Sequence, residues 1–90
     1  MASVERIKMV RSGDWRTLEY GWNANFRCQF RDPVGARVKV RYGLGWLGWD
    51  SQKKTLDGTD KMLTVGGPVY ARAQMKVSHD TEVRYLYLTG

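Results

Sequence analysis

Cysteine and histidine are almost missing from this chain, with Cys28 and His79 the only examples in 90 residues. A lone cysteine excludes an internal disulfide and with it a disulfide-stapled scaffold. One cysteine and one histidine also exclude a zinc site of the ordinary Cys/His type, so neither a metal nor a cofactor is expected. Long apolar runs are missing too. No stretch approaches the roughly 20 residues that a membrane helix needs, and no transmembrane segment is expected. The first residues, MASVERIKMV, lack the apolar core of a signal peptide, although a processed secreted chain is compatible with that. Acidic residues are in deficit: nine Asp and Glu stand against fifteen Lys and Arg, a net charge of +6. That balance favours anionic partners such as nucleic acid, acidic glycans or a lipid surface. It equally suits the solubility of a small domain with no such partner.

Helical signals are the last absence. No segment combines a cap with an apolar face at a 3.6-residue period. What is there instead is alternation. Leu18, Tyr20 and Trp22 oppose Thr17 and Glu19. Phe26, Cys28 and Phe30 oppose Arg27, Gln29 and Arg31. Ala36, Val38, Val40 and Tyr42 oppose Arg37, Lys39 and Arg41, and Val69, Ala71, Ala73, Met75 and Val77 oppose Tyr70, Arg72, Gln74 and Lys76. A period of two marks half-buried strands. Ile7 and Met9 alternate with Arg6 and Lys8 in the same way, and Lys61–Val65 is a further short strand. Asn23-Ala24-Asn25, Asp32-Pro33-Val34-Gly35, Asp57-Gly58 and Gly66-Gly67-Pro68 read as turns or breaks, with Pro33 and Gly35 at the second and fourth positions of theirs. Short strands at this spacing predict one all-β domain over residues 1–90. The expected fold is a compact antiparallel β-sandwich or small β-barrel of about six to eight strands, with no significant helix.

Opposed residues of an antiparallel pair share a face, which allows pairings to be tried. A three-residue loop at Ser78-His79-Asp80 would pair Met75 with Val83, Ala73 with Tyr85 and Ala71 with Tyr87, and would set Lys76 against Glu82. An odd loop between the strands around Phe30 and Val38 would pair Phe30 with Val38, Cys28 with Val40 and Phe26 with Tyr42. The outer face of that second hairpin then sets Arg31 against Arg37 and Arg27 against Arg41, with Lys39 between them. Directly opposed like charges are destabilising and ask for a counter-charge.

Two stretches carry functional weight. In GLGWLGWD, three glycines punctuate Trp46 and Trp49. A tryptophan is an amphipathic plate that stacks on sugars or bases, and glycine lets a ligand come close to the ring. Read as a loop, this stretch predicts a non-catalytic, lectin-like carbohydrate-binding module. Trp46 and Trp49 would stack on the sugar, Asp50 and Gln52 would bond its hydroxyls, and Arg41 would meet an anionic group. The competing structural role is that both rings plug the end of the fold or a subunit contact.

The alternative site is the basic face of Arg27, Arg31, Arg37, Lys39 and Arg41, which would bind nucleic acid or another polyanion. Its competing role is a solvated sheet face. A third expectation is a homo-oligomeric assembly subunit in which Glu5, Glu19 or Asp60 of a neighbour meets those cations. Catalysis is not expected. Cys28 shares a face with two phenylalanines, where a thiol is inert, and no carboxylates are paired at a spacing suited to acid–base chemistry.

Overall fold

The computed structural model describes residues 2–44 and 47–89. They form six strands, β1 (Ala2–Val10), β2 (Arg16–Phe30), β3 (Arg37–Leu44), β4 (Leu47–Thr55), β5 (Lys61–Lys76) and β6 (Thr81–Thr89), with no helix among the described residues. Every pairing is antiparallel and the strand order is β1-β6-β2-β5-β3-β4. β2 and β5, with 15 and 16 residues, are far longer than the five or six typical of a strand, and each serves two sheets. Their register shifts twice, at Leu18 and between Asn23–Val69 and Asn25–Gly66; at the second place Ala24 alone opposes Gly67 and Pro68. Proline has no amide hydrogen to give to a ladder, and a bulge is where a strand tolerates it. The expected turn at Asn23–Asn25 and the expected break at Gly66–Pro68 are therefore the two sides of one bulge.

On one side of that bulge, the second half of β2 joins the first half of β5, with β6 and then β1 beyond it. On the other side, the first half of β2 joins the second half of β5, with β3 and then β4 beyond it. The result is two four-stranded antiparallel sheets packed as a sandwich. The smallest dimension is 19 Å, which fits two sheets about 10 Å apart with their outward side chains. Phe26, Cys28, Phe30, Leu63, Val83 and Tyr85 of the first sheet form one buried cluster with Val38, Val40, Ala71, Ala73 and Met75 of the second. The Phe30 and Tyr85 rings stack at 5.1 Å, and those of Phe26 and Tyr87 lie 5.8 Å apart. Each fully buried Phe contributes about 1.5–3 kcal/mol of transfer free energy.

The inward residues of β3, β6 and the second half of β5 are those that alternation indicates, whereas in β2 the expected face of Leu18 and Tyr20 is broken, with Tyr20 outside and Glu19 inside; the partners differ too. β5 and β6 do not pair. Met75 opposes Arg16 and Val38, while Val83 opposes Lys8, so Ser78–Asp80 crosses between sheets as an arch. A hairpin and an arch send the same residues into the core, and alternation cannot separate them. Lys76 accordingly opposes Arg37 and not Glu82. Nor do β2 and β3 pair: Phe30 opposes Tyr85 and Lys61, and Val40 opposes Ala73 and Ser51. The turn after β2 is shifted by one residue from expectation. Ala36 N–H donates to Pro33 O at 3.1 Å, so Pro33 is first and Gly35 third, with the positive φ of 91° that the third place of such a turn demands.

Side chains close both open seams of the sandwich. Lys8 Nζ donates to Leu18 O at 2.6 Å and the Tyr85 hydroxyl to the same oxygen at 2.9 Å, which ties β1 and β6 to the free edge of β2. At the opposite seam Lys54 Nζ donates to Met62 O at 3.0 Å. Gln52 bonds Thr64 twice, its Oε1 accepting from Thr64 N–H at 2.9 Å and its Nε2 donating to Thr64 O. Inward-turned Arg6 and Lys8 leave Ile7 and Met9 outside, 50% and 62% exposed. Charged residues turned inward on an edge strand are a recognised defence against edge-to-edge pairing.

Candidate functional site

The outer face of the second sheet collects cations from two adjacent strands. β3 presents Arg37, Lys39 and Arg41, because Val38 and Val40 point inward. β5 presents Arg72, Gln74 and Lys76, because Ala71, Ala73 and Met75 do. Register then sets Arg37 against Lys76, Lys39 against Gln74 and Arg41 against Arg72. Two of these three pairs juxtapose like charges. Asp50 of β4, opposite Arg41, supplies the carboxylate: its Oδ2 receives Lys39 Nζ at 2.9 Å and its Oδ1 receives Arg41 Nη1 at 3.0 Å. Those bonds, Lys39 first, hold the Asp50 carboxyl below the usual carboxylate range. Among the described residues no carboxylate pairs with Arg37, Arg72 or Lys76.

Trp15, just before β2, lies on this face. Lys39 Nζ sits 4.4 Å and Arg37 Cζ 5.8 Å from its ring. Lys39 is only 7% exposed, and the Trp15 π face and Asp50 together replace the water its ammonium has lost. Gly48 makes room for the neighbouring cation, since a Cβ there would stand 3.1 Å from Arg41 Nε. Tyr20 and Tyr70 share the face, 65% and 47% exposed, with Tyr20 opposite Arg72. An open hollow of about 360 Å³ is lined by Thr17, Tyr20 and Arg72.

The residues singled out as a sugar site are only partly brought together. Arg41 and Asp50 meet. Trp49 does not join them: it opposes Tyr42, with ring centroids 6.1 Å apart, on the other face of β4 from Asp50. Gln52 is engaged with Thr64. Between the Val38–Lys54 and Val40–Ser51 pairs β4 carries one residue more than β3, and Gln52 takes a φ of 54° in that bulge, which aims its amide at β5. Trp46 lies outside the described residues, as does the side chain of Trp22. The stretch read as a loop is largely strand, since β3 runs to Leu44 and β4 begins at Leu47.

The five-cation face is divided as well. Arg37, Lys39 and Arg41 stay together, whereas Arg27 and Arg31 stand on the outer face of the first sheet, because β2 changes sheets at its bulge. Arg31 grips Asp60 with two bonds of 2.9 and 3.3 Å. The acids expected to reach a neighbouring subunit have partners within the chain: Glu5 with Arg84 at 3.3 Å, Asp60 with Arg31, and Glu19 with Arg6 at 3.4 Å. Glu19 also accepts from the Tyr85 hydroxyl at 2.7 Å, and burial, followed by that carboxylate, pushes the phenol's ionisation up. Cys28 is fully buried, and desolvation pushes its thiol up to about 12. No group of three or more metal-ligating side chains occurs among the described residues, and no helix there is long and apolar enough to cross a membrane.

Six members of the face, Trp15, Tyr20, Tyr70, Arg72, Gln74 and Lys76, were not part of any site read from the sequence. The outward set Tyr70, Arg72, Gln74 and Lys76 was visible as alternation, but only strand order shows that it adjoins Arg37, Lys39 and Arg41. Comparison with known protein families, curated proteins and solved structures returns no match.

Proposed function

We propose that the protein is a non-catalytic binding module for an anionic polymer, held on the outer face of the second sheet. The observation that carries this function is the cross-strand stacking of like charges, Arg41 beside Arg72 and Arg37 beside Lys76, against the single carboxylate of Asp50. Opposed like charges cost stability that a polar or neutral pair would not, and a row of ligand anions removes the cost. Aromatic rings lie among the cations, Trp15 against Lys39 and Tyr20 opposite Arg72. Cationic strands interleaved with aromatics are the combination by which small β domains hold charged polymers.

Binding to heparin and to a single-stranded oligonucleotide, measured at rising salt, tests this function. The affinity should fall steeply and log-linearly with salt as condensed counterions are released. Binding that survives high salt unchanged, on neutral sugars, would return attention to Trp49 and its neighbours. No binding to either polyanion at low salt contradicts the proposal.

A further inference from the structure

The β2–β5 pairing holds a second bulge, this one on β2, and it decides which residues the basic face receives. Between Thr17–Gln74 and Glu19–Ala73 the β2 strand holds one extra residue, Leu18, which is buried at 4% exposure. An unbroken register from Thr17–Gln74 would put Glu19 opposite Arg72 on the outer face and Tyr20 opposite Ala71 in the core. The bulge reverses both. Glu19 turns in to the Tyr85 hydroxyl and Arg6, and Tyr20 turns out beside Arg72. A carboxylate that would have neutralised Arg72 is thereby withdrawn, and an aromatic ring stands in its place.

Tyr20 has no visible structural reason to be there. Tyr85 is 3% exposed, and Tyr42 and Tyr87 pack against the core, whereas Tyr20 is 65% exposed. Its ring and the Arg72 guanidinium line the 360 Å³ hollow, with the Thr17 hydroxyl at its side held by Gln74 Nε2 at 3.1 Å. An exposed ring next to an uncompensated guanidinium matches a ligand unit that is planar at one end and anionic at the other. Every nucleotide has that form; a saccharide can lay its C–H face on the ring, but it brings no π face of its own to stack there.

We infer that this hollow is a nucleotide subsite, with the base stacked on Tyr20 and its phosphate on Arg72, and that the anionic polymer is single-stranded nucleic acid. This identification rests on the anionic-polymer function of the same face. Bulges that re-aim a side chain recur beside functional sites, and base–aromatic stacking is sequence-tolerant because every base has a π face.

The experiment compares three probes of similar charge by fluorescence anisotropy at one salt concentration: a thymine-only oligonucleotide, an abasic sugar-phosphate chain of the same length, and heparin. The wild type should bind the oligonucleotide about tenfold more tightly than the abasic chain, the scale of one stacked base. Tyr20→Phe should keep that preference, since the ring stacks and the hydroxyl does not. Tyr20→Ala should bring the oligonucleotide down to the abasic level without changing the salt slope. If the wild type holds all three probes alike and Tyr20→Ala changes nothing, the subsite is overturned while the anionic-polymer function stands. If no probe binds, both fall.

Discussion

Asp50 shows how a residue's role depends on neighbours that its own sequence context does not reveal. Beside Trp49 and Gln52 it suggests a sugar ligand, and in the fold it is shared between Lys39 and Arg41. Its carboxyl is held below the ordinary value of about 3.9, as are those of Asp57, Asp60 and Asp80. A carboxyl that is more acidic folded than unfolded adds stability above its unfolded value and loses it as pH falls through the folded one. The urea midpoint should therefore be level above about pH 4 and decline below it. Asp50→Asn should lower the neutral midpoint and flatten that acid limb, whereas an unchanged limb would remove Asp50 from the acid response. Tyr85 makes the opposite case. Its alternation places it inside correctly, but its hydroxyl bonds, to Leu18 O and Glu19, follow from a seam that no local pattern describes. Tyr85→Phe should cost about 1–3 kcal/mol in urea denaturation, because the one hydroxyl proton shared between Glu19 and Leu18 O is lost from a buried site. A change under about 0.5 kcal/mol would mean that water replaces it.

Among the elements, faces were legible and partners were not. The inward residues of β3, β5 and β6 agree with period-two alternation, because a strand between core and solvent has only two faces to fill. Pairing depends on loops that cross between sheets and on bulges that add one residue, and neither has a periodic signature. At Leu18 one extra residue reverses Tyr20 and Glu19. At Gly67-Pro68, opposite Ala24, another lies where both long strands pass from one sheet to the other. The third bulge turns Gln52 from a candidate ligand contact into a clamp on the free edge of β5. Gln52→Ala should expose the Thr64 N–H and C=O, lower stability by about 1 kcal/mol, and promote association between β5 edges on warming. Light scattering that matches the wild type through the melting transition would show that the edge needs no such clamp.

At the scale of the molecule, an all-β antiparallel domain, sandwich or small barrel, was legible from composition, alternation and the lack of a helical face, and the structure shows the sandwich. The basic face was not, because its cations come from β3 and β5, separated by β4 in the chain and adjacent only in the sheet. Net charge alone cannot distinguish that face from the cations of the first sheet, where Arg31 and Arg84 are paired with Asp60 and Glu5. Two double variants separate them at equal charge: Arg37→Gln with Arg72→Gln on the second sheet, and Arg31→Gln with Arg84→Gln on the first. The measurement to make is the salt dependence of single-stranded oligonucleotide binding for both. The first variant should lower the log–log salt slope by about 1.4, at ~0.7 per phosphate contact, and the second should leave it unchanged. Equal losses in the two variants would contradict this, for binding would then follow the total charge of the protein and not the face that its register builds.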